Sequence, residues 1–221
     1  MAGWEALRQP ATRRGRESKA RIVSAAAELM YERGVRATTV DDILAASGAG
    51  KSQFYHYFSD KNALVIEVLS YQLENILEDQ SQFSLDSWDG IVAWFRALID
   101  MHERRWGLHG CPLGSIAAEA SEQGEAVRLS ASAVFARWES VLAGAFEAMR
   151  RGGELEATAD SAALAEAMIA VMQGGYLLSS IKRDVRPMRE GLRAALGYLD
   201  LYRLSTEGEV GRTKDRLDRL I

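Results

Sequence analysis

Between Pro10 and Pro112 the chain contains no proline, and its apolar residues recur every three to four positions. A stretch of that kind suits one helix after another, and no strict alternation runs long enough to make a strand. Ile22, Ala26, Leu29 and Met30 form a first stripe, with Ser18 the expected N-cap and Gly34 the expected stop. Thr39 precedes a short helix over 40–46, whose Asp41 and Asp42 complement the positive end of the helix dipole. Ser47-Gly48-Ala49-Gly50 reads as a turn, and 51–58 as a second short helix. Ser59 and Asp60 are candidate N-caps for a long helix, Lys61–Gln80. Further helices are predicted over 86–105, 112–120, 124–151, 160–181 and 187–204, the one at 112 opened by Pro112. The fold class is therefore all-α.

Apolar residues make up 48% of the 221 positions, enough to exclude wholesale disorder. The single cysteine, Cys111, excludes a disulfide scaffold and favours a cytoplasmic location. No uninterrupted apolar run approaches the roughly 18 residues of a membrane span. The first residues lack the apolar core of a secretory signal, so neither membrane nor export is expected.

Charge is unevenly placed. Residues 1–61 carry 10 Lys and Arg against 7 Asp and Glu, while the remainder carries 17 against 24. From Arg8 to Arg21 the chain holds Arg8, Arg13, Arg14, Arg16, Lys19 and Arg21 against Glu17 alone. A basic N-terminal arm on an acidic chain points to a polyanion at that end, or to a solvated tail.

Three short helices with a tight glycine-containing turn between the second and third make a helix-turn-helix pattern. In such a unit the third helix enters the major groove while the first two brace it. Lys51-Ser52-Gln53-Phe54-Tyr55-His56-Tyr57-Phe58 suits that role. Phe54 and Phe58, four apart, can pack inward while Ser52, Gln53, Tyr55 and His56 face out. An aromatic core stripe is the competing reading, and Phe54 and Phe58 already satisfy it.

Thr38-Thr39-Val40-Asp41-Asp42-Ile43-Leu44-Ala45-Ala46-Ser47-Gly48, the 51–58 helix, and Asp60-Lys61-Asn62-Ala63-Leu64 together resemble the DNA-binding signature of TetR-family transcriptional regulators. The departure is Gly50, where family members often place Ser, so the reading helix is expected to start without a side-chain cap. The resemblance implies a phosphate contact from Thr39 and mostly phosphate contacts from Lys51, Tyr55, His56 and Lys61. It implies base-edge contacts from Ser52 and Gln53, since Gln pairs with adenine N6 and N7. Arg16 and its neighbours would reach a phosphate or the minor groove.

The implied organisation is a basic arm (1–17), a three-helix DNA-binding module (18–62), a larger helical ligand-binding and dimerisation body (63–205) and a polar tail (206–221). The partners implied are double-stranded DNA bearing a palindromic operator, a small-molecule effector and a second copy of the chain. Leu164, Met168, Val171, Gly174, Gly175 and Leu178, with Leu192, Ala195, Leu196 and Leu199, are expected to build a four-helix dimer interface. Their alternative is intramolecular core. Trp94, Trp106, Cys111, Phe135, Trp138, Met172 and Tyr176 are the candidate effector-binding residues, bulky groups of the kind that line apolar cavities. The "Gly-Cys-x-Leu-Gly-x-x-Ala-x-Glu" stretch from Gly110 resembles a segment of one TetR subgroup in which some members respond to electrophiles. Cys111 before Pro112 would sit at a helix N-terminus, where a thiol pKa can fall; a small buried hydrophobe is the alternative. His102, His109 and Cys111 match no zinc spacing. No nucleophile elbow, P-loop or His-Glu-x-x-His occurs, so neither enzyme activity nor a cofactor is expected.

Overall fold

The computed structural model describes residues 10–104 and 110–204, and these fold as helices with no strand among them. In chain order they are α1 (Arg13–Arg33), α2 (Val40–Ser47), α3 (Lys51–Tyr57), α4 (Lys61–Gln80), α5 (Trp88–Arg104), α6 (Pro112–Ala120), α7 (Glu125–Arg151), α8 (Ser161–Lys182) and α9 (Arg186–Asp200). A single 3-10 turn, Ser121–Gln123, lies between α6 and α7.

Two start and stop signals differ from the sequence expectation. Helix α1 begins at Arg13 rather than near Ser18, because the Thr12 hydroxyl accepts the Gly15 N–H and caps it; Ser18 is buried one turn further on. The later part of the expected basic arm is therefore first-turn helix, with Arg16 donating to the carbonyls of Pro10 and Ala11. Arg8 and the 206–221 tail lie outside the described residues. Helix α9 ends at Asp200, where Tyr202 and Arg203 turn back on Leu199 and Asp200. The stops at Gly34 and Gly153 hold, at φ +90° and +77°, values that suit glycine alone.

Packing divides the described residues into two units. The first joins everything up to Asn75 with Pro112–Val134. This unit runs past residue 62 and includes α6 beside the helix-turn-helix. Its interior holds Ile22, Ile43, Phe54, Phe58, Leu64 and Val68, with Leu113, Ile116 and Ala120 from α6. Burying such side chains contributes about 1.5–3 kcal/mol each. Lys19 is buried here as well, its ammonium 2.9 Å from Glu67 and 5.8 Å above the Phe58 ring. That approach is an ion pair without hydrogen-bond alignment, and it ties α1 to α4.

The second unit runs from Ile76 to Cys111 and onward from Phe135. Helices α8 and α9 are its most intimate pair. Gly175 is what lets them close: an added Cβ would stand 3.1 Å from the Met188 sulfur and 3.2 Å from its Cα, whereas Gly174 faces open space. The α9 start is fixed from α8, since the Ser179 hydroxyl accepts the Met188 N–H. Helix α8 is the one described helix long and apolar enough on average to resemble a membrane span. By length and mean hydropathy it could cross a membrane, although Glu166 interrupts its apolar run. Its Leu164, Ala165, Met168, Ile169 and Met172 are instead buried in the protein.

Candidate nucleic-acid interface

The α2–α3 pair is built from local signals. Thr39 caps α2, its hydroxyl accepting the Asp42 N–H at 3.1 Å while Asp42 returns to the Thr39 N–H at 2.9 Å. The Thr39 hydroxyl, which donates to the Asp42 carboxylate, and then the Thr39 N–H hold that carboxyl below its ordinary pKa. Gly48, left-handed at φ +65°, ends α2 and turns the chain. Gly50 offers α3 no side-chain cap, as expected, but Gln53 reaches back to accept the Gly50 N–H at 3.2 Å. Helix α3 thus keeps the return half of a capping box, a feature that sequence reasoning missed.

Helix α3 is two-faced. Phe54 and Phe58 are 0% and 1% exposed, with ring centroids 5.4 Å apart. Lys51, Ser52, Gln53, Tyr55 and His56 are all exposed, Tyr55 by 52%. A period of 3.6 cannot hide all eight residues of so short a segment, and the polar ones face water.

Three of the seven candidate DNA-contact residues already make side-chain hydrogen bonds inside the protein, Gln53 through the bond to Gly50 just described. The Thr39 hydroxyl donates its proton to Asp42, so a phosphate contact there needs that proton to turn away. The Lys61 ammonium, partly buried at the start of α4, donates to the Val35 carbonyl at 2.5 Å. Burial lowers the Lys61 pKa, and the nearby Glu119 carboxylate opposes that shift. Glu119 itself accepts the N–H groups of Val35 and Arg36, each at 2.7 Å. Nothing local in the sequence marks Glu119 for this, because its partners lie 84 and 83 positions away.

Six of the seven candidate effector residues are described, and all six fall in the second unit. Trp94, Cys111, Trp138, Met172 and Tyr176 are buried, and Phe135 is partly so. Trp106 lies outside the described residues. Phe135 stacks on Trp138 with centroids 6.2 Å apart, and the Trp138 indole N–H donates to Gln80 at 3.2 Å. Tyr176 meets His102 edge to face at 5.6 Å. The Nε2 atoms of His102 and Gln80 are buried with no hydrogen-bond partner among the described residues. Burial lowers the His102 pKa and so favours the neutral ring. A shallow depression of about 310 Å³ on α5 is lined by Ala97, Asp100, Met101 and Arg104, none of them among the seven.

Known proteins resemble both units. Residues 22–68 match the family pattern of bacterial regulatory proteins of the tetR family. Residues 87–193 match the C-terminal domain of LmrA/YxaF-like transcriptional regulators. The HTH-type transcriptional regulator LmrA of Bacillus subtilis is 30% identical over 176 residues, covering 78% of this chain and 91% of its own. The transcriptional regulator AcuR of Cereibacter sphaeroides is also 30% identical, over 75% of this chain and 77% of its own. The crystal structure of a regulatory protein TetR from Rhodobacter sphaeroides shares the fold, with a TM-score of 0.71 at 24% identity over 82% of this chain and 98% of that one. With one family pattern on the helix-turn-helix and the other along the helical body, and with relatives aligned over most of their length, the chain belongs to the TetR family of DNA-binding transcriptional regulators.

Proposed function

We propose that the protein is a homodimeric cytoplasmic repressor, released from a palindromic operator by a small apolar effector, with no catalytic role. The observation that carries the DNA half of this reading is α3, which buries Phe54 and Phe58 and bares Lys51, Ser52, Gln53, Tyr55 and His56. Ser52 and Gln53 then meet base edges; Lys51, Tyr55 and His56 meet phosphates. Lys61 has N–H bonds beyond the one given to Val35 for a phosphate, and Thr39 joins it once its proton leaves Asp42.

The dimer half rests on a stripe of exposed apolar side chains. On α8 they are Leu177, Leu178 and Ile181, the last 69% exposed; on α9 Tyr198 is 38% exposed. Gly174, open to solvent, falls on the same α8 face. The residues expected at this interface divide: Leu164, Met168, Leu192, Ala195, Leu196 and Leu199 are buried within the protomer, so the contact would fall to the exposed stripe. Two copies joined there would present two reading helices to half-sites about 34–36 Å apart.

Trp94, Cys111, Phe135, Trp138, Met172 and Tyr176 supply an apolar lining for the effector. The unpartnered Nε2 atoms of His102 and Gln80 suit a ligand carrying one or two polar atoms on an apolar frame. A reversible ligand is preferred over an electrophile because Cys111 is 3% exposed, which keeps its sulfur from an attacking reagent.

The test is a duplex enriched by the protein from random sequence, followed by sedimentation of the complex. The expected result is a palindrome with half-sites one helical turn apart, bound by two protomers. A non-palindromic site bound by one protomer would refute the dimeric reading.

A further inference from the structure

The turn between α1 and α2, residues 34–39, has no secondary structure to satisfy its backbone, yet the polar groups of Gly34 and Val35 and the Arg36 N–H are all claimed. The Gly34 N–H donates to Met30, and the Gly34 carbonyl accepts from the hydroxyl of buried Thr38 at 2.8 Å. The Val35 carbonyl accepts from Lys61. The N–H groups of Val35 and Arg36 both go to one side chain, Glu119, in the last turn of α6. A carboxylate receiving two successive amides at 2.7 Å makes charge-assisted bonds, roughly twice as strong as neutral ones. The fit is close on its far side also. Gly34 sits at φ +90°, and a Cβ there would stand 2.9 Å from the Glu119 carboxylate. By contrast, the adjoining Arg36–Glu122 pair at 2.8 Å is mostly exposed on both sides and adds little.

The turn leads directly into Thr38 and Thr39, and so into α2, the helix that braces α3. Its other anchor is Lys61, the first residue of α4. Helix α6 in turn follows the Cys111–Pro112 peptide, where the chain passes from the second unit into the first. We propose that Glu119 is a positioning residue for operator binding: its carboxylate latches the α1–α2 turn, so that affinity for DNA depends on where α6 stands. It touches no DNA in this scheme and acts through the backbone of Val35 and Arg36.

Electrostatics gives the test its sign. Glu119 is an anion, and removing an anion by itself raises affinity for a polyanion. A latch demands the opposite. The experiment measures operator affinity by fluorescence anisotropy for the full chain, Glu119→Gln and Glu119→Ala, using the duplex enriched by the wild-type protein. Glu119→Gln keeps one acceptor but turns an NH2 toward the second amide. The expected order is wild type, then Gln, then Ala, with the Ala variant weaker by about tenfold or more. The salt dependence of binding stays unchanged, because no phosphate contact is lost. Amide exchange at Val35 and Arg36 accelerates in both variants. Glu122→Gln, which leaves the latch intact, binds within about twofold of wild type. Equal or tighter operator binding by the Glu119 variants overturns the proposal, as does unchanged exchange at the two amides. If Glu119→Ala does not fold, Glu119→Gln decides alone: weaker binding with faster exchange supports the latch, and wild-type affinity overturns it.

Discussion

Helix α3 has seven residues and presents most of them to water; helix α8 has twenty-two and buries much of its length. In α3 the two buried phenylalanines fix which face points outward, and the polar side chains left on that face are exposed rather than packed in the core. In α8 the apolar residues serve several ends at once: packing on α9, a proposed pocket and a proposed partner copy. A short helix with a fixed back therefore declares its chemistry residue by residue. A long apolar one declares only that something must cover it.

The widest separation of the two regions comes from the back of α3. Phe54→Ala empties a fully buried site and should cost about 3–5 kcal/mol, abolishing operator binding while dimers joined through the second unit persist in sedimentation. Loss of both together would mean that the units do not stand apart energetically. Next comes the exposed stripe. Ile181→Asp places a charge on the proposed dimer face and should weaken association by about 2 kcal/mol or more, read by sedimentation equilibrium, without lowering the melting temperature of the protomer. An unchanged dimer would move the interface elsewhere.

Lys51→Ala should weaken binding to every duplex alike. Each lost phosphate contact lowers the slope of log K against log salt by about 0.9, and a dimer loses two. A sequence-selective defect would instead make Lys51 a base reader. The smallest effect belongs to the second unit's interior. Burial holds the His102 pKa below its usual value, so the folded protein keeps the ring neutral while the unfolded chain takes up a proton as pH falls through about 6.5. The unfolded state then binds more protons, so this contribution is complete above that pH and declines below it. Thermal melts at pH 7.5 and 5.5 should differ more in wild type than in His102→Gln.

The same contrast explains what is legible in the sequence. Lys61–Gln80 and Pro112–Ala120 match their expected spans because caps and breakers bound them: Asp60 accepts the Ala63 N–H, and Pro112 opens α6. The start of α1 lies ahead of its apolar stripe because the turn capped by Thr12 is basic and carries no apolar period. The outward face of α3 follows from the four-residue spacing of Phe54 and Phe58. Two things have no local signature: the internal bond of Lys61 and the grip of Glu119 on a turn more than eighty residues away. The return bond from Gln53 has half of one, a glutamine at the third helical position, but Gly50 lacks the side chain that completes it. The candidate effector residues stand out by bulk. Bulk locates an interior, and six of the seven fall in one unit, but it does not mark which interior residues border a ligand.

The most direct measurement is a comparison of binding-site selections from random duplexes by wild type and Gln53→Ala. If α3 reads DNA through its outward face, one base preference, symmetric in both half-sites, relaxes in the variant by about 1–3 kcal/mol while the rest of the site and its spacing remain. An identical selected sequence for the two proteins would contradict the assignment of α3 as the element that reads bases.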